Sequence, residues 1–140
     1  MQPAFRSVRK KRSRLSKNSV VYPGTHDNTT ITAWWESAAT PKEKATAAAY
    51  LHLTGAHPTA KEVAAVKTAA ARTALLRAAL GSVADRAIIP MYDWLGLGEE
   101  AHLNTPGKLG GNWAWRAAAG FESKTLAKTI ADECSVYCRV

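Results

Sequence analysis

Residues 24–30, Gly-Thr-His-Asp-Asn-Thr-Thr, set an imidazole beside a carboxylate among small hydroxyl and amide side chains. His26 and Asp27 could work as a base and its partner, as metal ligands, or as hydrogen-bonding groups for a hydroxylated ligand. A metal wants three or four ligands, and no His-x-x-x-His or similar spacing accompanies them. A nucleophilic triad wants a poised Ser or Cys on a strand-to-helix elbow, and none is present. No metal or cofactor is therefore expected. The plainer alternative is that Asp27 and Asn28 make an Asx-turn with His26 on the surface, and chemistry alone does not separate the two. Of the five tryptophans, Trp34, Trp35, Trp94, Trp113 and Trp115, any could stack on a sugar ring. Buried Trp is more often core than platform, so Trp34 and Trp35 are read as packing.

The elements that must position this cluster can be read from pattern. Residues 18–23 form a short β-branched and aromatic run that ends at Pro23-Gly24, a strand emptying into a loop. A helix can begin within 30–39. Pro41 opens another, with Thr40 as N-cap and Glu43 completing a capping box. Residues 58–80 repeat the design with Thr59 and Glu62 and read as one long helix. Gly81 stops it, Ser82 and Asp85 form a possible capping box, and 87–91 is an apolar strand that Pro90 must cut short. Residues 96–116 hold five glycines, Gly96, Gly98, Gly107, Gly110 and Gly111, in a loop long enough to suggest function. A final amphipathic helix covers 123–140. Cys134 and Cys138 stand four apart, on one face if that stretch is helical, and are read as free thiols.

Strand, helices, strand, long loop, helix is the order of an α/β fold with parallel strands, whose polar clusters lie where the chain leaves each strand. The 140 residues suffice for one domain. The formal charge of +8 is concentrated at one end: residues 1–18 carry seven Lys or Arg and no acid, leaving twelve bases against eleven acids elsewhere. That leader reads as disordered. A nucleic-acid arm is the less favoured reading, because no matching basic helix follows. No run is long and apolar enough for a membrane span or a secretion signal, so a cytoplasmic location is expected, with a plastid as the alternative.

Three segments, 18–35 (Asn-Ser-Val-Val-Tyr-Pro-Gly-Thr-His-Asp-Asn to Trp-Trp), 82–98 (Ser-Val-Ala-Asp-Arg-Ala-Ile-Ile-Pro-Met-Tyr-Asp-Trp-Leu-Gly-Leu-Gly) and 102–116 (His-Leu-Asn-Thr-Pro-Gly to Asn-Trp-Ala-Trp-Arg), together resemble the C-terminal part of 4-alpha-glucanotransferases, the amylomaltases or disproportionating enzymes of glycoside hydrolase family 77. The likeness runs from about Asn18 to the end, and residues 1–17 do not share it. It implies the C-terminal βα units of a (β/α)8 barrel, here incomplete and helix-rich, and transfer of alpha-1,4-glucan segments between sugars by a retaining double displacement. It further implies that Asp27 is the third acid, holding sugar hydroxyls and favouring the oxocarbenium-like form, with His26, Asn28 and Asn104 as substrate contacts. The partners would be alpha-1,4-glucans and maltooligosaccharides.

The sequence departs from the family pattern at Thr29, where an acid is usual, at Tyr92 for Gln, at His102-Leu103 for Arg-Met, and at Cys138 for Gly. The nucleophilic aspartate and the acid/base glutamate that the resemblance calls for belong to earlier barrel strands, and no residue here matches either. An isolated chain is therefore expected to be inactive, and its strand edges to invite aggregation. A shifted reading frame or start would produce such a leader. A non-catalytic remnant that binds glucan, or nucleic acid through the leader, is the alternative.

Overall fold

The computed structural model describes residues 18–139. Two short strands, β1 (Val20–Val21) and β2 (Arg86–Ala87), pair in parallel with Val20 opposite Arg86 and Val21 opposite Ala87. The other described elements are helical: α1 (Ile31–Ala33), a π-helical turn (Trp34–Ala38), α2 (Pro41–Tyr50), α3 (Ala60–Ala65), α4 (Thr68–Leu80), α5 (Met91–Leu95), a 3-10 turn (Glu99–Ala101) and α6 (Lys124–Val136). The parallel pair and the helices between its strands fit an α/β class, with α5 and a 3-10 turn added after β2 where a loop was expected.

Both capping boxes form. Thr40 and Thr59 accept from the amides of Glu43 and Glu62, whose carboxylates reach back to the threonine amides at 2.9 and 2.7 Å. Ala47 and Ala48 of α2 meet Trp35 and Ala71 of α4 in a buried cluster flanked by Trp34, Leu51, Leu53 and Val66. Small alanines let the helices approach closely around one large indole. Trp35 is thus core, as its packing reading expected.

The single helix expected over 58–80 is two. Val66 and Lys67 adopt extended backbone, with ψ of 115° and 138°, between α3 and α4. The break frees Val66 from the helical register and lets it pack on the Trp35 cluster. Ser82 and Asp85 start no helix; Ser82 Oγ instead meets Arg139 at 3.3 Å. Pro90, which the residue pattern predicts to cut the strand short, is also the N-cap of α5, a helix where that pattern predicts strand and loop. Its extended backbone makes it a good entry residue.

Three helices end alike. After α2, α5 and α6 the chain passes through a left-handed residue, His52 (φ 56°), Gly96 (φ 72°) and Cys138 (φ 52°). Amides of Leu53, Leu97 and Arg139 then return to the carbonyls of Ala48, Tyr92 and Cys134 at 2.9, 3.0 and 2.9 Å, the six-to-one bond of a Schellman motif. Cys138 therefore lies beyond α6 rather than on its face, and both cysteines are free thiols. The α6 stop delivers Arg139 to the end of α4, where its guanidinium donates to the carbonyls of Leu80, Ala84 and Ser82 at 2.8, 2.6 and 2.8 Å. Among the described residues no helix is long and apolar enough to cross a membrane.

Candidate functional site

The loop that leaves β1 is shaped by Asn28. Its Oδ1 accepts from the Thr25 amide at 2.9 Å and the Thr25 hydroxyl at 3.0 Å, and its own amide donates to the Thr25 carbonyl at 2.9 Å. The Asn28 side-chain oxygen is thereby occupied in folding the turn. At the loop's far end the chain enters α1 under two caps: buried Thr30 accepts from the Ala33 amide at 3.1 Å, and buried Asp93 of α5 accepts from the Ile31 amide at 2.9 Å. Asp93 thus locks the exit of the β1 loop to the segment that follows β2. Burial pushes its carboxyl up to about 6, partly opposed by the Ile31 hydrogen bond and the nearby Arg72 charge.

Between those two anchors sit His26 and Asp27. Asp27 Oδ1 accepts the side-chain amide of Asn104, and the Asn104 backbone amide donates to the His26 carbonyl at 3.1 Å. His26 Nε2 stands 3.3 Å from the same Oδ1. Asp27 Oδ2 and the Asn104 side-chain carbonyl have no protein partner among the described residues, and the Asp27 side chain is 28% exposed. One carboxylate oxygen is therefore fixed by the protein and the other is open, next to an unpaired amide acceptor. Two adjacent acceptors on a rim suit neighbouring hydroxyl donors. They offer no third ligand for a metal, and no group of three potential ligands is found among the described residues.

Trp113 completes the rim. Its indole lies 4.9 Å from the His26 ring, tilted by 39°, and the residue is 54% exposed. The chain holds it there in left-handed backbone, φ 62°, while its amide donates to the Leu103 carbonyl at 2.6 Å. A bulky residue in that region is strained by about 1–3 kcal/mol, and such strain clusters at functional sites. Asn112 braces the approach, accepting from the Thr105 amide and donating to the Lys108 carbonyl, each at 2.9 Å. The Gly110-Gly111 pair shortly before Trp113, both in left-handed backbone, is the sequence signal for the chain reversal that places it. The structure thus joins Asp27, His26 and Asn104, and keeps the Asn28 side chain in the turn.

A sequence profile described as 4-alpha-glucanotransferase, glycoside hydrolase family 77, matches residues 2–122. The chain belongs to this family. The chloroplastic/amyloplastic 4-alpha-glucanotransferase of Arabidopsis thaliana is 39% identical over 126 residues, covering 88% of this chain and 20% of the relative. The 4-alpha-glucanotransferase of Thermus thermophilus is 46% identical over 101 residues, covering 72% and 19%. Among solved structures, an amylomaltase from Streptococcus agalactiae in complex with acarbose superposes with a TM-score of 0.70 at 25% identity, covering 88% of this chain and 22% of that one. This family member thus spans about a fifth of the length of the glucanotransferases it matches. The profile also reaches back over the basic leader, which the motif reading set apart from the family, and stops at Glu122, before α6.

Proposed function

We propose that this chain supplies the glucan-holding C-terminal part of a 4-alpha-glucanotransferase. In this reading β1 and β2 are neighbouring strands of a (β/α)8 barrel, and the bond-breaking carboxylates stand on barrel strands outside this sequence. Asp27 Oδ2 and the Asn104 carbonyl accept hydroxyls of the glucose unit at the cleavage point, His26 flanks them, and Trp113 offers its face to a sugar ring. A carboxylate held by Asn104 on one oxygen is pre-oriented on the other, so its grip can tighten as the ring flattens and gains positive charge. The observation that carries this is the Asp27–Asn104 contact, which leaves one oxygen of a partly exposed carboxylate open. The superposable amylomaltase, solved with acarbose, supports it.

Without a nucleophile and an acid/base pair, a third carboxylate positions a sugar but cannot make or break the glycosidic bond by double displacement. The alternative from a different class, a basic leader that binds nucleic acid, falls on residues outside those described. The plant and bacterial relatives fit either a plastid or a cytoplasmic setting. Two measurements on the purified chain test the proposal. A maltotriose disproportionation assay is expected to show no turnover, and calorimetry is expected to show acarbose binding that Asp27→Ala abolishes. Turnover would refute the missing-pair argument; binding indifferent to Asp27→Ala would remove Asp27 from the site.

A further inference from the structure

The loops that carry Asp27 and Asn104 meet at a second point. The Thr29 hydroxyl, two residues beyond Asp27, donates to Glu99 Oε2. The other oxygen of that carboxylate, Oε1, pairs with His102 Nδ1 at 3.0 Å, two residues before Asn104. The intervening 3-10 turn adds the His102 amide donating to the Glu99 carbonyl at 3.0 Å. One carboxylate thus spans the gap between a residue on the Asp27 loop and a residue on the Asn104 loop, using a different oxygen for each.

Burial works to push the Glu99 carboxyl up, but the hydrogen bonds from Thr29 and His102 and the His102 charge outweigh it and hold it below its ordinary value. At neutral pH Glu99 is the ionised, two-armed acceptor this bridge needs, and bonds to a charged acceptor are the stronger kind. Its neighbour Glu100 does something else, accepting from the Gly98 amide at 2.8 Å within its own turn. The His102 ring is fixed with Nε2 buried and without a partner among the described residues. With Nδ1 on the carboxylate, the ring position is set by Glu99.

We infer that Glu99 is a positioning residue that sets the Asp27–Asn104 contact by holding Thr29 with one carboxylate oxygen and His102 with the other. It touches neither Asp27 nor the open acceptors; it acts by fixing the distance between the two loops. The consequence for sugar binding rests on the proposed glucan site, whereas the loop geometry does not.

The test uses the 15N-labelled full chain and reads the Asn104 side-chain amide, together with acarbose affinity. Glu99→Ala and Thr29→Val are expected to move that amide toward free-amide shifts and raise its solvent exchange about tenfold. Glu99→Gln is expected to fall between wild type and Glu99→Ala, because its carbonyl still accepts from Thr29 while its NH2 replaces the oxygen that pairs with His102. Glu100→Ala should leave the amide unmoved. Should Glu99→Ala fail to fold, Thr29→Val severs one arm of the bridge with little change in volume. An Asn104 amide unaffected by both Glu99→Ala and Thr29→Val, or a Glu99→Gln as disruptive as Glu99→Ala, would overturn the inference. If the amide responds as expected while no variant or wild-type chain binds acarbose, the positioning role stands and the glucan reading falls.

Discussion

Asn104 donates its side-chain amide to Asp27 across 77 residues of sequence, so the loop after β1 and the glycine-rich loop after α5 form one rim. Asn104→Ala removes that donor and is expected to destabilise the fold by about 1 kcal/mol, the ordinary net value of such a bond. Urea denaturation followed by circular dichroism measures it.

Asp93 gives stability a pH dependence of definite sign. Its carboxyl, pushed up to about 6 chiefly by burial, binds its proton more tightly folded than unfolded. Its contribution is therefore fully present below the ordinary aspartate range and is lost as pH rises through about 6. The difference corresponds to about 3 kcal/mol. Asp93→Asn keeps an acceptor for the Ile31 amide, and its unfolding midpoint is expected to exceed wild type at pH 7.5 and converge with it near pH 4. Parallel denaturation curves at the two pH values decide this.

The two arginines that fasten α6 differ in what they leave behind. Arg139 serves three backbone carbonyls at the end of α4, and Arg139→Ala strands them partly buried, costing about 2–3 kcal/mol. Arg77 pairs with Glu133 at 2.6 Å from an exposed position, and Arg77→Ala should cost under about 1 kcal/mol. Thermal melts of both variants are expected to rank them in that order, with Arg139→Ala the lower.

Cys138 occupies the left-handed position of a Schellman stop at φ 52°, a conformation that disfavours any side chain with a Cβ by about 1–2 kcal/mol. Cys138→Gly relieves that and gives back some of the gain through the freer unfolded chain. The expected net is stabilisation by up to about 1 kcal/mol, read as a raised melting temperature; Cys138→Val should lower it.

Much of this was legible in the residues. Thr40 and Thr59 with an acid three places on announced two helix starts, and the HDN and Asn-Thr-Pro-Gly motifs announced the two loops that meet. What stayed hidden was set by tertiary contacts. Val66 continues a helical pattern in sequence and leaves it to pack on Trp35. Nothing local in the sequence marks Asp93 as buried; its bond to Ile31, 62 residues away, does. Thr29 and His102 read as two unrelated departures from the family pattern, yet both bond to Glu99. Cys138, another departure, falls where backbone geometry favours glycine. Local signals fixed the starts of helices, whereas packing decided where they break and which polar groups are buried.

Titrating maltotriose into the 15N-labelled chain, with the His26 ring and the Asn104 side-chain amide as reporters, interrogates the rim directly. The account predicts saturable shifts centred on those two residues and Trp113, lost in Asp27→Ala while the rest of the spectrum stays folded. Shifts that cluster elsewhere, or that persist unchanged in Asp27→Ala, would contradict it.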